Sequence, residues 1–128
     1  SDVCSSDLVA RMQRSLPCLL GTHDFAAFQA SGGTAKTTIR TLEAVDLTCE
    51  GELFTLQVRG NAFLYNMVRI IAGTLMEVGT LKREPGAIAR AIETRDRLAL
   101  GQTAPAKGLT LMRVLYGGDE EIALSYFD

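Results

Sequence analysis

A chain of 128 residues, 47% of them hydrophobic, is long enough for one domain with a buried core and too apolar for a disordered tail. Arg69 and Glu77 divide the longest apolar run below the length of a membrane span, and no basic stretch leads into an apolar one as in a secretory signal. One histidine and three scattered cysteines, Cys4, Cys18 and Cys49, exclude a Cys/His zinc site and fit free thiols in a reducing cytoplasm. The net charge of −2 is segregated. Residues 1–60 hold five Lys/Arg against seven Asp/Glu, residues 61–113 eight against four, and residues 114–128 none against four. For a polyanionic partner the local field of the middle third matters more than the total.

Ser1–Leu8, SDVCSSDL, has no periodicity and reads as a leader foreign to the domain, like a translated adapter; the alternative is an ordinary disordered leader. The domain is expected over residues 9–128. Val9–Leu20 predicts a short helix with Val9, Met12, Leu16 and Leu19 or Leu20 on one face, kinked or ended at Pro17. In Gly21–Phe28, Thr22 or Asp24 can cap a turn, and Phe25 and Phe28 enter the core. His23, with no nucleophile motif near it, is expected to be structural rather than a general base. The Gly-rich stretch Ser31–Lys36 lacks the Gly-Lys-Ser/Thr ending of a phosphate-binding loop.

Thr38–Cys49 and Leu53–Arg59 predict two strands joined through Glu50-Gly51-Glu52 as a hairpin. Asn61–Gly79 predicts the central helix, with Asn61 as N-cap and a glycine to stop it. Leu64, Val68, Ile71, Leu75 and Val78 stack on one face, and Phe63, Met67, Ile70 and Thr74 make most of the rest apolar, so this helix is expected to be buried. Leu81–Arg83 is a basic connector. Pro85 can occupy the first turn of a further helix with Ile88, Ala91 and Ile92 as its stripe. Leu98–Gly108 reads as loop and Leu109–Tyr116 as a strand. The acidic end can add a short strand through Ile122, Leu124 and Tyr126. The sum is an α+β fold, an antiparallel sheet with helices packed on one face.

Arg69 stands alone in the greasy helix. Its neighbours at three and four residues are Tyr65, Asn66, Ala72 and Gly73, none of them acidic. A guanidinium cannot shed its proton to escape burial, so its partner must come from elsewhere in the fold. Either it reaches solvent or pairs structurally with an acid such as Asp24 or Glu43, or it waits for a functional partner. Gly73, one turn on, leaves room for a close approach.

Three stretches carry a resemblance. Phe63, Leu64, Met67, Val68, Arg69, Ile71, Gly73, Thr74, Leu75, Val78 and Gly79 resemble the F-L-x-x-M-V-R-x-[IV]-x-G-[TS]-L-x-x-V-G segment of the tRNA pseudouridine synthase A (TruA) family. The G-x-H-D-F-x-x-F at residues 21–28 is similar to a second segment. A third, in RDRLALGQTAPAKGLTLMRVLY, is carried by Asp96, Arg97, Gly101, Thr103, Ala104, Pro105, Gly108, Leu109, Leu111, Val114 and Tyr116. The resemblance covers about Val9 to Tyr116 and corresponds to the C-terminal half of the family alone.

That resemblance implies one of two similar α+β halves around a basic cleft, in a homodimeric cytoplasmic enzyme. Family members isomerise uridines in the anticodon arm of tRNA without cofactor or metal. The nucleophilic aspartate belongs to a G-R-T-D-x-G-V-H-like motif of the N-terminal half; here Asp24 precedes Phe25 and Asp46 precedes Leu47, so this chain is expected to be inactive without that half. Arg69 would pair with the absent aspartate, Leu109 would wall the target base, and Asn66 would lie at the substrate. Lys82, Arg83, Arg97 and Lys107 become candidates for phosphate contact, with a solvated surface as the alternative. Thr110 and Ile70 stand where the family often has an aromatic residue and asparagine. The other functional reading is a stand-alone RNA-binding or dimerisation module of the same fold.

Overall fold

A computed structural model of the chain describes residues 6–29, 37–50, 53–64, 66–104, 109–116 and 119–127. At residues 6, 53, 109–116, 119–120 and 124–127 it describes the backbone. The elements are α1 (Ser6–Arg14), β1 (Gly21–Asp24), β2 (Ile39–Glu50), β3 (Leu53–Gly60), α2 (Met67–Gly79), α3 (Ala87–Thr94), β4 (Leu109–Tyr116) and β5 (Asp119–Phe127). Single 3-10 turns occur at Pro17–Leu19, Ala26–Phe28 and Arg97–Ala99. The Ser31–Lys36 loop lies outside the described residues.

The strands form one antiparallel sheet in the order β1-β2-β3-β5-β4. Phe54, Leu56 and Val58 alternate inward along β3 and are buried, while Gln57 is exposed. In β2 the inward residues Leu42 and Leu47 differ in parity. A bulge at Glu43 supplies the extra residue that keeps both on the core face. The helices cover that face, as the α+β pattern predicts. α2 is buried nearly all round, with Met67, Ile70, Ile71, Leu75 and Val78 at 0% exposure. Phe25 and Phe28 enter the same core and meet edge-on, their ring centroids 5.3 Å apart.

Several boundaries differ from the sequence expectation. α2 starts at Met67, not after an Asn61 cap. Asn61 stays with the hairpin, its N–H donating to the Thr41 carbonyl (3.1 Å) and its Oδ1 accepting from the Thr41 N–H (3.0 Å). The far end lies at Gly79 as expected, but the glycine is not the left-handed residue that closes it. The chain leaves through Leu81 at φ 67°, with the Lys82 N–H on the Glu77 carbonyl (2.8 Å) and the Leu81 N–H on that of Val78 (3.2 Å). This is a Schellman ending carried by leucine. Pro85 lies ahead of α3 rather than in its first turn.

α1 begins at Ser6, inside the stretch read as a foreign leader, and Leu8 packs against the core. Arg11 donates to the Gly79 carbonyl from Nη2 (2.7 Å) and Nε (3.3 Å), so α1 closes the C-terminal end of α2. The acidic end makes a full nine-residue strand. Cys18 is a free, half-buried thiol that donates to the Ser15 carbonyl, and burial pushes its pKa above the ordinary thiol value. Cys49, expected as a free thiol, is disulfide-bonded. Sequence spacing does not reveal which side chains a fold brings within bonding distance.

Candidate functional site

The first turn of α2 sets the site. Asn66 precedes the helix at φ 59°, ψ 14°, a left-handed conformation that asparagine tolerates better than most residues. Its carbonyl accepts from the Ile70 N–H (2.9 Å), and its Oδ1 faces Arg69 Nη1 at 3.4 Å. Arg69 is half-buried. Its Nε and Nη2 both donate to the Ala104 carbonyl, at 3.0 and 2.7 Å. The Ala104 N–H returns the bond to the Arg69 carbonyl at 3.0 Å.

The two in-chain acids considered for Arg69 are engaged elsewhere. Asp24 accepts from the Ala26 N–H and the Thr38 hydroxyl and lies 3.8 Å from Arg95. Glu43 pairs with Arg59 at 3.6 Å. Among the described residues no carboxylate contacts Arg69. The side-on edge of the guanidinium, Nε and Nη2, is occupied by a carbonyl. Its end-on edge, with one N–H each on Nη1 and Nη2, has the geometry to grip a carboxylate with two bonds.

The segment after α3 lies flat along α2 from Glu77 back to Arg69. Gly101 N–H donates to Thr74 Oγ1 (2.9 Å), while the Thr74 hydroxyl itself donates to the Ile70 carbonyl. Gln102 N–H donates to Glu77 Oε2 (2.9 Å). A Cβ on Gly73 would fall 1.8 Å from the Gln102 carbonyl oxygen, and one on Gly101 would fall 2.2 Å from Glu77 Oε2. These glycines are what permit the close approach. Beside the segment a cavity of about 510 Å³ opens between Gly73, Met76, Lys82, Gln102 and Thr103.

The candidate phosphate contacts divide. Arg83 donates from Nε to Glu77 Oε1 (3.0 Å) and from Nη1 to the Ala99 carbonyl (3.1 Å). Arg97 Nη1 donates to the Gly101 carbonyl (2.7 Å). Both therefore build the segment. Lys82 is exposed beside the cavity. Lys107 lies outside the described residues; Leu109 opens β4, and its side chain is likewise outside them. His23 Nε2 bonds the Leu20 carbonyl at 2.7 Å and its ring stands edge-on to Phe25, consistent with a structural role. Among the described residues no three His, Cys, Asp or Glu side chains cluster to hold a metal. Among the described residues no helix is long and apolar enough to cross a membrane. Thr74 and Glu77 were not anticipated in the site. Their signal is a polar side chain at each of two helical positions that flank the same turn as Gly73.

A family model described as tRNA pseudouridine synthase matches residues 18–117. The tRNA pseudouridine synthase A of Acetivibrio thermocellus is 51% identical over 105 residues, covering 82% of this chain and 43% of that protein. That of Geotalea uraniireducens is 49% identical over 108 residues (84% and 44%), and that of Pelobacter propionicus 52% over 96 residues (75% and 39%). The chain thus spans less than half the length of these relatives.

Proposed function

The chain belongs to the tRNA pseudouridine synthase family, and from that premise we propose that it is the C-terminal half of an enzyme that converts uridine to pseudouridine in the anticodon stem-loop of tRNA. The reaction exchanges the glycosidic C–N bond of the uridine for a C–C bond. The nucleophile in this reading is an aspartate supplied by an N-terminal half. Arg69 keeps that carboxylate ionised and fixes its direction of attack on the uracil or its ribose. In this reading Asn66 and Leu109 contact the substrate, and Lys82 and Lys107 its phosphates. The enzyme works as a homodimer in the cytoplasm.

One observation supports this most. Arg69 is a half-buried cation whose bonds among the described residues go to the Ala104 carbonyl and Asn66 Oδ1, with no carboxylate on it. Such a charge is costly unless something opposite meets it. The test is complementation. The chain is mixed with a separately produced N-terminal half of the Acetivibrio thermocellus relative, and tRNA transcripts are assayed for pseudouridine by carbodiimide primer extension. Pseudouridine is expected from the mixture alone, and Arg69→Ala in this chain should lower the rate on the order of a hundredfold or more. Two folded, associated halves that make no pseudouridine would refute the reading. tRNA binding by the chain alone, indifferent to the other half, would favour the stand-alone module.

A further inference from the structure

We infer that Glu77 is a positioning residue for Arg69, acting through the segment Gly101–Ala104. The inference rests on the reading that Arg69 aims a carboxylate, but its first test does not use activity. Eight helical steps separate Arg69 from Glu77, about 12 Å along the axis at the rise of an α-helix, too far for contact. The segment spans that distance. At one end Glu77 Oε2 accepts from the Gln102 N–H and Thr74 Oγ1 from the Gly101 N–H. At the other, the Ala104 carbonyl holds Nε and Nη2 of Arg69 while its N–H holds the Arg69 carbonyl.

Between these anchors the Gln102 carbonyl lies directly over Gly73, so the segment cannot slide along α2 without breaking one of them. Glu77 is itself held. Arg83 Nε donates to its Oε1, and Arg83 Nη1 reaches the carbonyls of Leu98 and Ala99 just upstream. A two-bond grip on a carboxylate requires the guanidinium plane to be fixed. Here the oxygen that fixes it belongs to a residue two positions from the N–H that Glu77 captures. Release of Gln102 frees the Ala104 carbonyl to turn, and Arg69 turns with it.

The first test reads Arg69 directly in the 128-residue chain. Arginine Nε–H resonances are recorded by proton–nitrogen NMR, and that of Arg69 is assigned with R69K. Its hydrogen bond to Ala104 should slow exchange with water. Glu77→Ala should speed that exchange on the order of tenfold, as expected of a local opening. Glu77→Gln, whose amide oxygen can still accept from Gln102, should restore most of the protection. Unchanged Arg69 exchange in a folded Glu77→Ala chain overturns the inference. If that variant does not fold, Thr74→Val removes the neighbouring anchor and the same readout decides.

The second test uses the complemented enzyme. Glu77→Ala should lower kcat about tenfold with KM for tRNA unchanged, the scale expected of a small misplacement. The acid limb of its pH–rate profile should move to higher pH, because a misdirected guanidinium depresses the aspartate pKa less. A fall in kcat without movement of that limb makes Glu77 merely structural and overturns the inference. If the unaltered mixture is inactive while the exchange pattern is as expected, the functional reading fails and the mechanical link stands.

Discussion

At the scale of single residues, Gly73 shows how a missing side chain can determine a site. Its carbon faces the Gln102 carbonyl so closely that a methyl group would sit 1.8 Å from that oxygen. Alanine is favoured over glycine in a helix by about 1 kcal/mol. Overpacking against a backbone that cannot retreat costs roughly 1–3 kcal/mol. The clash should win, because retreat would break the mutual bonds between Ala104 and Arg69. Urea denaturation of Gly73→Ala should therefore show a net loss of about 1 kcal/mol and at most about 2 kcal/mol. Equal or greater stability would mean the segment is loosely held. The need for room at Gly73 was legible in the sequence, since it lies one turn beyond a lone buried-helix arginine. What fills the room was not. The segment comes from some thirty residues downstream, and its backbone N–H groups carry no sequence signal.

At the scale of elements, existence and order were legible, as were the bounds of β4 and the far end of α2, while the start of α2 was not. The hairpin, α2 and β4 follow from period-2 and helical patterns in Leu53–Arg59, Leu64–Val78 and Leu109–Tyr116. The start moved because Asn61, the expected cap, is claimed by a distant partner, Thr41. The ending of α2 at Leu81 yields a prediction of opposite sign to the last. Leu81 has a left-handed backbone and is 73% exposed, so it contributes little packing at an unfavourable conformation. Left-handed backbone costs an L-residue about 1–2 kcal/mol, and glycine brings an entropic penalty of roughly 0.5–1 kcal/mol. Leu81→Gly should raise stability by about 0.5–1 kcal/mol. A thermal melt that moves down would show that Leu81 has a contact beyond the Schellman turn.

At the scale of the whole molecule, the positive excess of residues 61–113 is partly used inside the fold. Arg83 pairs with Glu77, Arg90 with Glu84 and Arg95 with Asp24, while Arg69 and Arg97 hold carbonyls. A polyanion thus meets fewer free cations than composition implies, and in the proposed enzyme the other half must share the work. The acidic end contributes in a different way. As β5 it lies between β3 and β4, paired at eight positions with each, and Ile122 enters the core. The family match stops at residue 117, just short of this strand. A chain ended at Tyr116 would lose the hydrogen bonds on both sides of β5 and leave β4 with no neighbour. At a net 0.5–1.5 kcal/mol per bond, eight or more bonds reach the whole stability margin of about 5–15 kcal/mol. We expect that truncated chain to show no cooperative thermal transition by circular dichroism and to bind a hydrophobic dye. A sharp transition near that of the full chain would mean that the helical layer and β1–β3 fold without their neighbours, and that β4 and β5 form a separable hairpin.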